Sequence, residues 1–455
     1  MKELKELKFE ELTTEQKLCL TLNFVLHHPA EDTDFVYDLI KRRCVGSVWI
    51  QQGQGDDFKE RIAKVRELAD YPILIITDGE SGVGNYKVGK HNAVGTTGSV
   101  KHAYAFGKAC GVEARRLGYN MVCNPVVDMN DGSMRSLGTD KEKVAELAMA
   151  IAKGMHDGGV LNVAKHYPGG KQDKAVDSHT AEAISSLTKE ELLDYALYPY
   201  LKLNEAGLLD GIMTKHCRYV NIDDKYPASL SKKVIDIIRE QGYDGISMTD
   251  ALVMMGIRAK FTDYESKALA LNAGNDIPMP YNKRNKTHYE EYMQAYKDGI
   301  ISDEMLDTAV KRVLAAQHKT MLLAKDTELT DEEIATFNSI NKDGVYTHID
   351  EGVPTAISRD GNHYFVISIK QETGLSDGKP DVDTFSGGWQ NPERIEAKIK
   401  ELFPNAKYKF IHEFPSQGEL VRTYEDTLGC DELVFMTFSE ALAYVGPEHL
   451  TTRIL

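Results

Sequence analysis

The sequence predicts an α/β chain: a (β/α)8 TIM-like barrel followed by a small, abbreviated α/β sandwich domain. Three observations carry this. Short apolar runs recur at residues 45–50, 73–77, 119–123, 160–164, 211–214, 245–249 and 276–279, as expected of parallel strands buried on both faces. Helical patterns lie between them at residues 101–117, 141–157, 189–206, 232–241 and 264–273. Polar and charged residues stand just after the runs: Asp78, Lys165 with His166, Lys215 with His216, and Asp250. A barrel gathers all of them at the carboxyl ends of its strands, where barrel enzymes place their chemistry. A doubly wound sheet shares the alternation of strand and helix.

A helical stretch at residues 302–323 ends the barrel, which is assigned residues 1–325. Residues 326–350 are polar enough for a linker. Residues 351–455 then read as a small α/β domain, with strands at 363–370, 406–412 and 432–438 and helices at 392–402 and 417–427. The sequence stops at Leu455 in a predicted helix where a further strand is expected.

Composition narrows the function. The chain has 455 residues, 42% hydrophobic and 27% charged, which suits a folded protein with one large and one small core. Its 54 Lys and Arg against 70 Asp and Glu give −16, which disfavours a nucleic acid or an anionic membrane as main partner. Residues 1–17 alternate Lys and Glu with Leu and read as a surface helix, not a signal peptide. No window approaches the roughly 20 apolar residues of a membrane span. Six scattered cysteines without a Cys-x-x-Cys pair fit reduced, buried thiols and a cytoplasmic location.

Two candidates bear chemistry. Asp250 ends the run Gly245–Thr249 and stands alone before an apolar stretch, a suitable setting for a nucleophilic carboxylate; the alternative is an Asp capping the next helix. Asp177 and His179 lie two apart on a loop rich in Gly, Pro and charge that follows Lys165. If that loop bends, the carboxylate fixes the imidazole's tautomer and raises its basicity, giving a proton donor poised near neutral pH; the alternative is an ordinary surface loop. Cleavage of a glycoside with retention needs a carboxylate about 5 Å from such a donor.

The loop's string KHYPGG followed by DSH resembles the signature of the glycoside hydrolase family 3 β-N-acetylglucosaminidases, KHFPGHG, a spacer and DSH. ILIITDGESG at residues 73–82 is similar to the family's Asp-x-Glu-Gly-Gly strand, NPVVDMN at 124–130 to APVLDL, and MRSLGTD at 134–140 to Arg-Ser-Phe-Gly-Ser-Asp. IMTKHCRYVNID at 212–223, ISMTDALVM at 246–254 and AGNDI at 273–277 resemble the Met-x-x-His, nucleophile and AGxD elements, in the family's order. The resemblance implies a retaining exo-β-N-acetylglucosaminidase: Asp250 forms a covalent glycosyl-enzyme, and His179 with Asp177 is a mobile acid/base dyad. Asp78, Arg135, Lys165 and His166 would bind hydroxyls of the terminal sugar. Lys165 and His166 could instead form an internal ion pair with a barrel carboxylate. His216 is placed with the substrate-binding residues, with a structural role as the alternative.

The sequence departs from the pattern at Gly170 and Lys171, where the family has His and Gly, and at Val83 to Tyr86, where the family's Arg is missing. The partner implied is a β-linked amino-sugar oligosaccharide or glycoconjugate, and a homodimer is compatible with the sequence. No cofactor is expected: His166 and His179 lack the spacing of a helical metal pair, and Gly82-Val-Gly84 is only a fragment of a nucleotide loop. Rival readings are a β-glucosidase or β-glycoside phosphorylase of the same family, or a non-catalytic sugar-binding homologue.

Overall fold

The computed structural model describes residues 4–26, 32–52, 57–129, 135–174, 178–179, 181–282, 284–324, 327–344, 358–369, 375–376, 379–380, 392–412 and 417–437. The chain divides into two compact units, residues 1–130 with 135–345, and residues 131–134 with 346–455.

The first unit is an α/β fold around a curled parallel sheet. Its strands are β1 Asn23–Val25, β2 Ser47–Trp49, β3 Leu74–Asp78, β4 Met121–Cys123, β5 Leu161–Tyr167, β6 Gly211–Thr214 and β7 Ile246–Thr249. They lie side by side in chain order. Beyond β7 the segment around Ile277 bridges Met248 in parallel, and the Pro278 carbonyl accepts from the Asn23 amide of β1 at 3.2 Å. One side chain set from every strand faces a shared interior: Val25, Trp49, Ile76, Met121, Val163, Met213 and Met248, joined by Ile277 and Met279. The outward-facing residues pack instead under helices such as Val100–Leu117 and Lys141–Asp157. Burial on both faces explains why the strands read as continuous apolar runs.

The helix Asp303–Leu323 seals the amino ends of the strands. Val313 enters the interior cluster, Gln317 Nε2 donates to the Gly46 carbonyl just before β2, and Lys319 Nζ lies 2.5 Å from Asp210 just before β6. The opposite, carboxyl ends are left for the residues of interest.

Several expectations are corrected. Among the described residues of the expected helix over 1–17, residues 4–17 form instead a short turn at Phe9–Glu11 and the start of a helix at Thr14–Thr21. A capping box between Thr13 and Gln16 starts that helix and buries Leu18 to Thr21. β1 follows directly, a strand with no separate sequence signal. The helix expected at 189–206 is broken into Lys189–Glu191, a wide turn at Leu192–Ala196, and Tyr198–Glu205, with Pro199 in the first turn of the last piece.

The supposed linker contains the helix Asp331–Asp343, started by a Thr330–Glu333 capping box. Its apolar residues recur at helical spacing, so Phe337 and Ile340 are buried, and Phe337 stacks on Phe106 with centroids 6.4 Å apart. Residues 345–350 lie outside the described residues.

The described part of the second unit is a three-stranded parallel sheet, β8 His363–Ile369, β9 Lys407–His412 and β10 Glu432–Thr437, in the order β9-β8-β10. Helices Pro392–Leu402 and Gln417–Thr427 connect the strands. Alternate residues of β8 divide between two small clusters, Phe365 and Ile367 in one, Tyr364 and Val366 in the other.

Because Phe337 is 5% exposed and closes on aromatic neighbours, Phe337→Ala should destabilise the chain by about 3 kcal/mol. Urea unfolding measures this; a change below a few tenths would mean that the helix is not integral to the first unit.

Candidate active site

The site begins where β5 breaks its regular pairing. The register with β6 shifts between Lys165 and Tyr167. In an unbroken strand consecutive side chains point to opposite faces, whereas a bulge lets two neighbours share one face. Lys165 and His166 thus both join the polar cluster, while the Tyr167 hydroxyl donates outward to the Val234 carbonyl at 2.7 Å.

Lys165 Nζ lies 2.6 Å from Asp78 Oδ1, at the end of β3, and 2.6 Å from Glu80 Oε1. Arg135 donates to both Glu80 oxygens, at 2.8 and 2.5 Å, and its Nη2 lies 3.0 Å from His166 Nε2. A guanidinium has no acceptor, so Nε2 accepts and the His166 proton resides on Nδ1. That Nδ1–H donates to Asp128 Oδ2 at 2.6 Å, and the His166 amide donates to the same oxygen at 3.1 Å. Lys215 Nζ stands 3.9 Å from the other Asp128 oxygen.

Burial alone would neutralise these groups, but their neighbours prevent it. Desolvation opposes ionisation of Glu80, yet Arg135 and Lys165 hold its carboxyl well below the usual range. Desolvation likewise disfavours the Lys165 ammonium, and Asp78 and Glu80 overcome it. Asp128 is buried and held low by Lys215 and His166.

Asp250 follows β7, half-buried. Its amide donates to the Thr214 carbonyl at 2.9 Å, and its Oδ1 accepts from the Ala251 amide at 2.8 Å. Against the cost of burial, the Ala251 amide and the Lys165 ammonium keep its carboxyl below the ordinary value, so it is an anion at neutral pH. Tyr281 feels both carboxylates: burial first, then Asp78 and Asp250, raise its phenol, whose ring meets Trp49 edge-on at 5.6 Å.

His216 stands apart from the predicted sugar-binding set. It is fully buried, with Nε2 donating to the Ala251 carbonyl at 2.9 Å and Nδ1 2.8 Å from Ser229 Oγ. Both ring nitrogens are committed to protein, which suits a support beneath Asp250.

The loop bearing His179 is held by its main chain. The Ser178 carbonyl accepts from the Gly256 amide at 2.9 Å, and the His179 carbonyl from the Met255 amide at 3.3 Å. His179 is exposed, and the two residues that its loop meets, Met255 and Gly256, stand five and six positions after Asp250 in the sequence. A Cβ on Gly256 would lie 3.1 Å from the Ser178 carbonyl and 3.2 Å from His216 Cβ, so glycine permits the close approach. The loop's return, Ala183–Ser185, pairs in parallel with Cys217–Tyr219 just past Lys215 and His216. Asp177 lies outside the described residues.

Both departures from the resembling pattern have local causes. Gly170 has φ +82°, a backbone conformation that favours glycine over the histidine of the pattern, and a Cβ there would press on the Leu187 side chain at 2.8 Å. At the missing arginine, Gly82–Val83 pairs with Tyr86–Lys87 as a hairpin, and Val83 is fully buried. Gln52 clasps this hairpin through the Gly82 carbonyl at 2.9 Å and the Gly84 amide at 2.8 Å.

The structure therefore unites Asp78, Arg135, Lys165, His166 and Asp250. It adds Glu80, Asp128 and Tyr281, to which the sequence reading assigned no role. Glu80 and Asp128 lie within motifs already singled out, while Tyr281 had no signal beyond following the run 276–279. Among the described residues, no group of three or more His, Cys, Asp or Glu is disposed to hold a metal ion.

Glu80→Gln should cost about 1–2 kcal/mol, because Arg135 loses its carboxylate partner and the buried Lys165 is left with Asp78 alone. Glu80 titrates below its ordinary 4.5 in the folded chain, so its contribution is complete above pH 4.5 and fades as pH falls through the folded value. Thermal unfolding from pH 7 to 3 should show the variant with a lower midpoint and a shallower acid decline; an unchanged acid limb would contradict this.

The chain is similar to known proteins in sequence and in fold. The model of the glycosyl hydrolase family 3 N-terminal domain matches residues 6–316. β-Hexosaminidase A of Pseudoalteromonas piscicida is 29% identical over 289 residues, 55% of this chain and 48% of that protein; the chain spans about half of that relative's length. A β-hexosaminidase of Tolumonas auensis is 32% identical over 237 residues, 49% of this chain and 70% of the relative. A solved structure of a glycoside hydrolase family 3 β-N-acetylglucosaminidase from Paenibacillus sp. str. FPU-7 superposes with a TM-score of 0.78 at 25% identity, covering 96% of this chain and 86% of that one. By this match over most of its length, the chain belongs to glycosyl hydrolase family 3.

Proposed function

We propose that the chain is a retaining exo-β-N-acetylglucosaminidase that hydrolyses terminal β-linked N-acetylglucosamine. The observation that carries the reading is the main-chain pairing of the His179 loop with the segment after Asp250, beside a buried cluster of hydroxyl-binding side chains. The names of the β-hexosaminidase relatives support it.

In the first step the Asp250 carboxylate attacks the anomeric carbon, the bond to the leaving oxygen breaks, and protonated His179 gives that oxygen its proton. Neutral His179 then takes a proton from water, which attacks the same carbon and releases Asp250. Asp177 would orient the imidazole. Asp78, Lys165 and Arg135 offer charged acceptors and donors to the sugar hydroxyls, with His166 fixed between Arg135 and Asp128.

The same reading takes the curled sheet as a closed (β/α)8 barrel, supported by the bonds of residues 277–278 to both edge strands. It takes the second unit as a separate small domain. Six free thiols, five of them buried, support a reducing, cytoplasmic setting.

Asp250→Ala should lower kcat on 4-nitrophenyl β-N-acetylglucosaminide by about 10³-fold or more, since it removes the nucleophile. Retained turnover would exclude the mechanism. His179→Ala should cripple a disaccharide substrate yet leave an aryl glycoside with an acidic phenol within about tenfold, because a good leaving group needs little protonation. Equal losses on both would remove His179 as the acid. Assays with N-acetylglucosaminides and glucosides, with and without phosphate, separate this reading from a glucosidase or a phosphorylase.

A further inference from the structure

The loop that bears His179 leaves and rejoins the first unit through a bonded neck. The Asp173 amide on its outgoing arm donates to the Ile184 carbonyl on its returning arm at 2.9 Å, and the Ser185 hydroxyl donates back to the Lys171 carbonyl at 2.7 Å. Beyond the neck, a side chain adds to the main-chain bonds of Ser178 and His179. Glu182 Oε1 accepts from Arg218 Nε and from Lys260 Nζ, both at 2.7 Å.

The two donors come from different segments. Arg218 lies in the strand Cys217–Tyr219 that pairs with the returning arm, and its Nη1 donates to the Asp224 carbonyl at 3.0 Å, which fixes the guanidinium. Lys260 lies just past the short helix Met255–Arg258, on the segment that follows Asp250. The spacing matches: Ser178 meets Gly256, and four residues further along each segment Glu182 meets Lys260. The hydrogen bond from Arg218, and then Lys260, hold the Glu182 carboxyl below its ordinary value against desolvation, so it is an anion at neutral pH.

The side chains of Arg218, Glu182 and Lys260 are 17%, 25% and 46% exposed. An ion pair in that setting shifts a local equilibrium by only a few fold, and salt weakens it. That strength biases where a loop stands, unlike the buried pairing of Lys165. An imidazole three residues from this contact delivers its proton only while its loop keeps it within reach of the glycosidic oxygen.

We propose that Glu182 is a positioning residue for His179: with Arg218 and Lys260 it forms an ionic latch that keeps the loop on the segment after Asp250, and proton transfer to the leaving oxygen depends on it. This rests on the glycosidase reading and adds how the acid is held in place.

The test follows the parent chain, Glu182→Gln, Lys260→Met, His179→Ala and the His179→Ala, Glu182→Gln double variant. The substrates are the N-acetylglucosamine β-1,4 disaccharide and dinitrophenyl β-N-acetylglucosaminide, whose leaving group needs little protonation. The ratio of kcat/KM for the disaccharide to that for the aryl glycoside should fall about 3- to 10-fold in Glu182→Gln, and in the same direction in Lys260→Met. Raising NaCl from about 20 to 500 mM should lower the ratio in the parent but not in Glu182→Gln. In the His179→Ala background, Glu182→Gln should leave the ratio where it was, because the latch acts through the imidazole. A ratio unchanged in Glu182→Gln overturns the latch, as does an equal salt response in parent and variant. A further fall of full size in the His179→Ala background overturns it too, since Glu182 would then support the fold at large. A parent chain inactive on both substrates overturns the glycosidase reading itself, a result distinct from an unchanged ratio.

Discussion

The Lys165 ammonium is 2% exposed at the carboxyl end of a parallel sheet, where an unpaired charge would cost several kcal/mol of lost hydration. Asp78 and Glu80 offset that cost, but each brings a carboxylate that needs its own partner. Arg135 serves Glu80, His166 stands between Arg135 and Asp128, and Lys215 lies across Asp128. Cations and carboxylates are therefore linked in one chain of contacts, with the His166 imidazole bridging Arg135 and Asp128, so removing one member weakens the support of its neighbours. Such a network is rigid, and it holds donors and acceptors in place before any polar ligand arrives.

The rest of the first unit brings that network to one rim. Parallel strands buried on both faces deliver their last residues to the same end, and the helix Asp303–Leu323 closes the other. The interior is filled with Met, Val, Ile and Trp side chains, so polar chemistry is confined to the strand ends. The bulge after Lys165 then doubles what one strand contributes.

How much of this was legible depended on how local the cause is. The runs at 73–77 and 211–214 coincide with β3 and β6 almost residue for residue, because continuous apolar strands and flanking polar residues are written in adjacent positions. β1 escaped notice because the helix Thr14–Thr21 runs into it with one intervening residue, and its burial comes from strands far away in sequence. The polarity of 326–350 concealed a helix whose apolar face is only three residues wide. At the site, Asp78, Lys165 and Asp250 were marked by their place after strands. Glu80 and Asp128 were not, since their importance arises from pairing with Arg135 and His166 across the fold. His216 illustrates the converse: a histidine in the right place along the chain whose ring is turned inward to Ser229 and Ala251.

The hydrogen bonds from Met255 and Gly256 to the carbonyls of His179 and Ser178 involve peptide groups alone. A tether of that kind is indifferent to which side chains it carries. Residue 179 or residue 255 can be exchanged while the loop keeps its place against the segment that follows Asp250. The fold thereby separates where a side chain stands from which side chain it is, so this rim accepts single substitutions without rebuilding the scaffold.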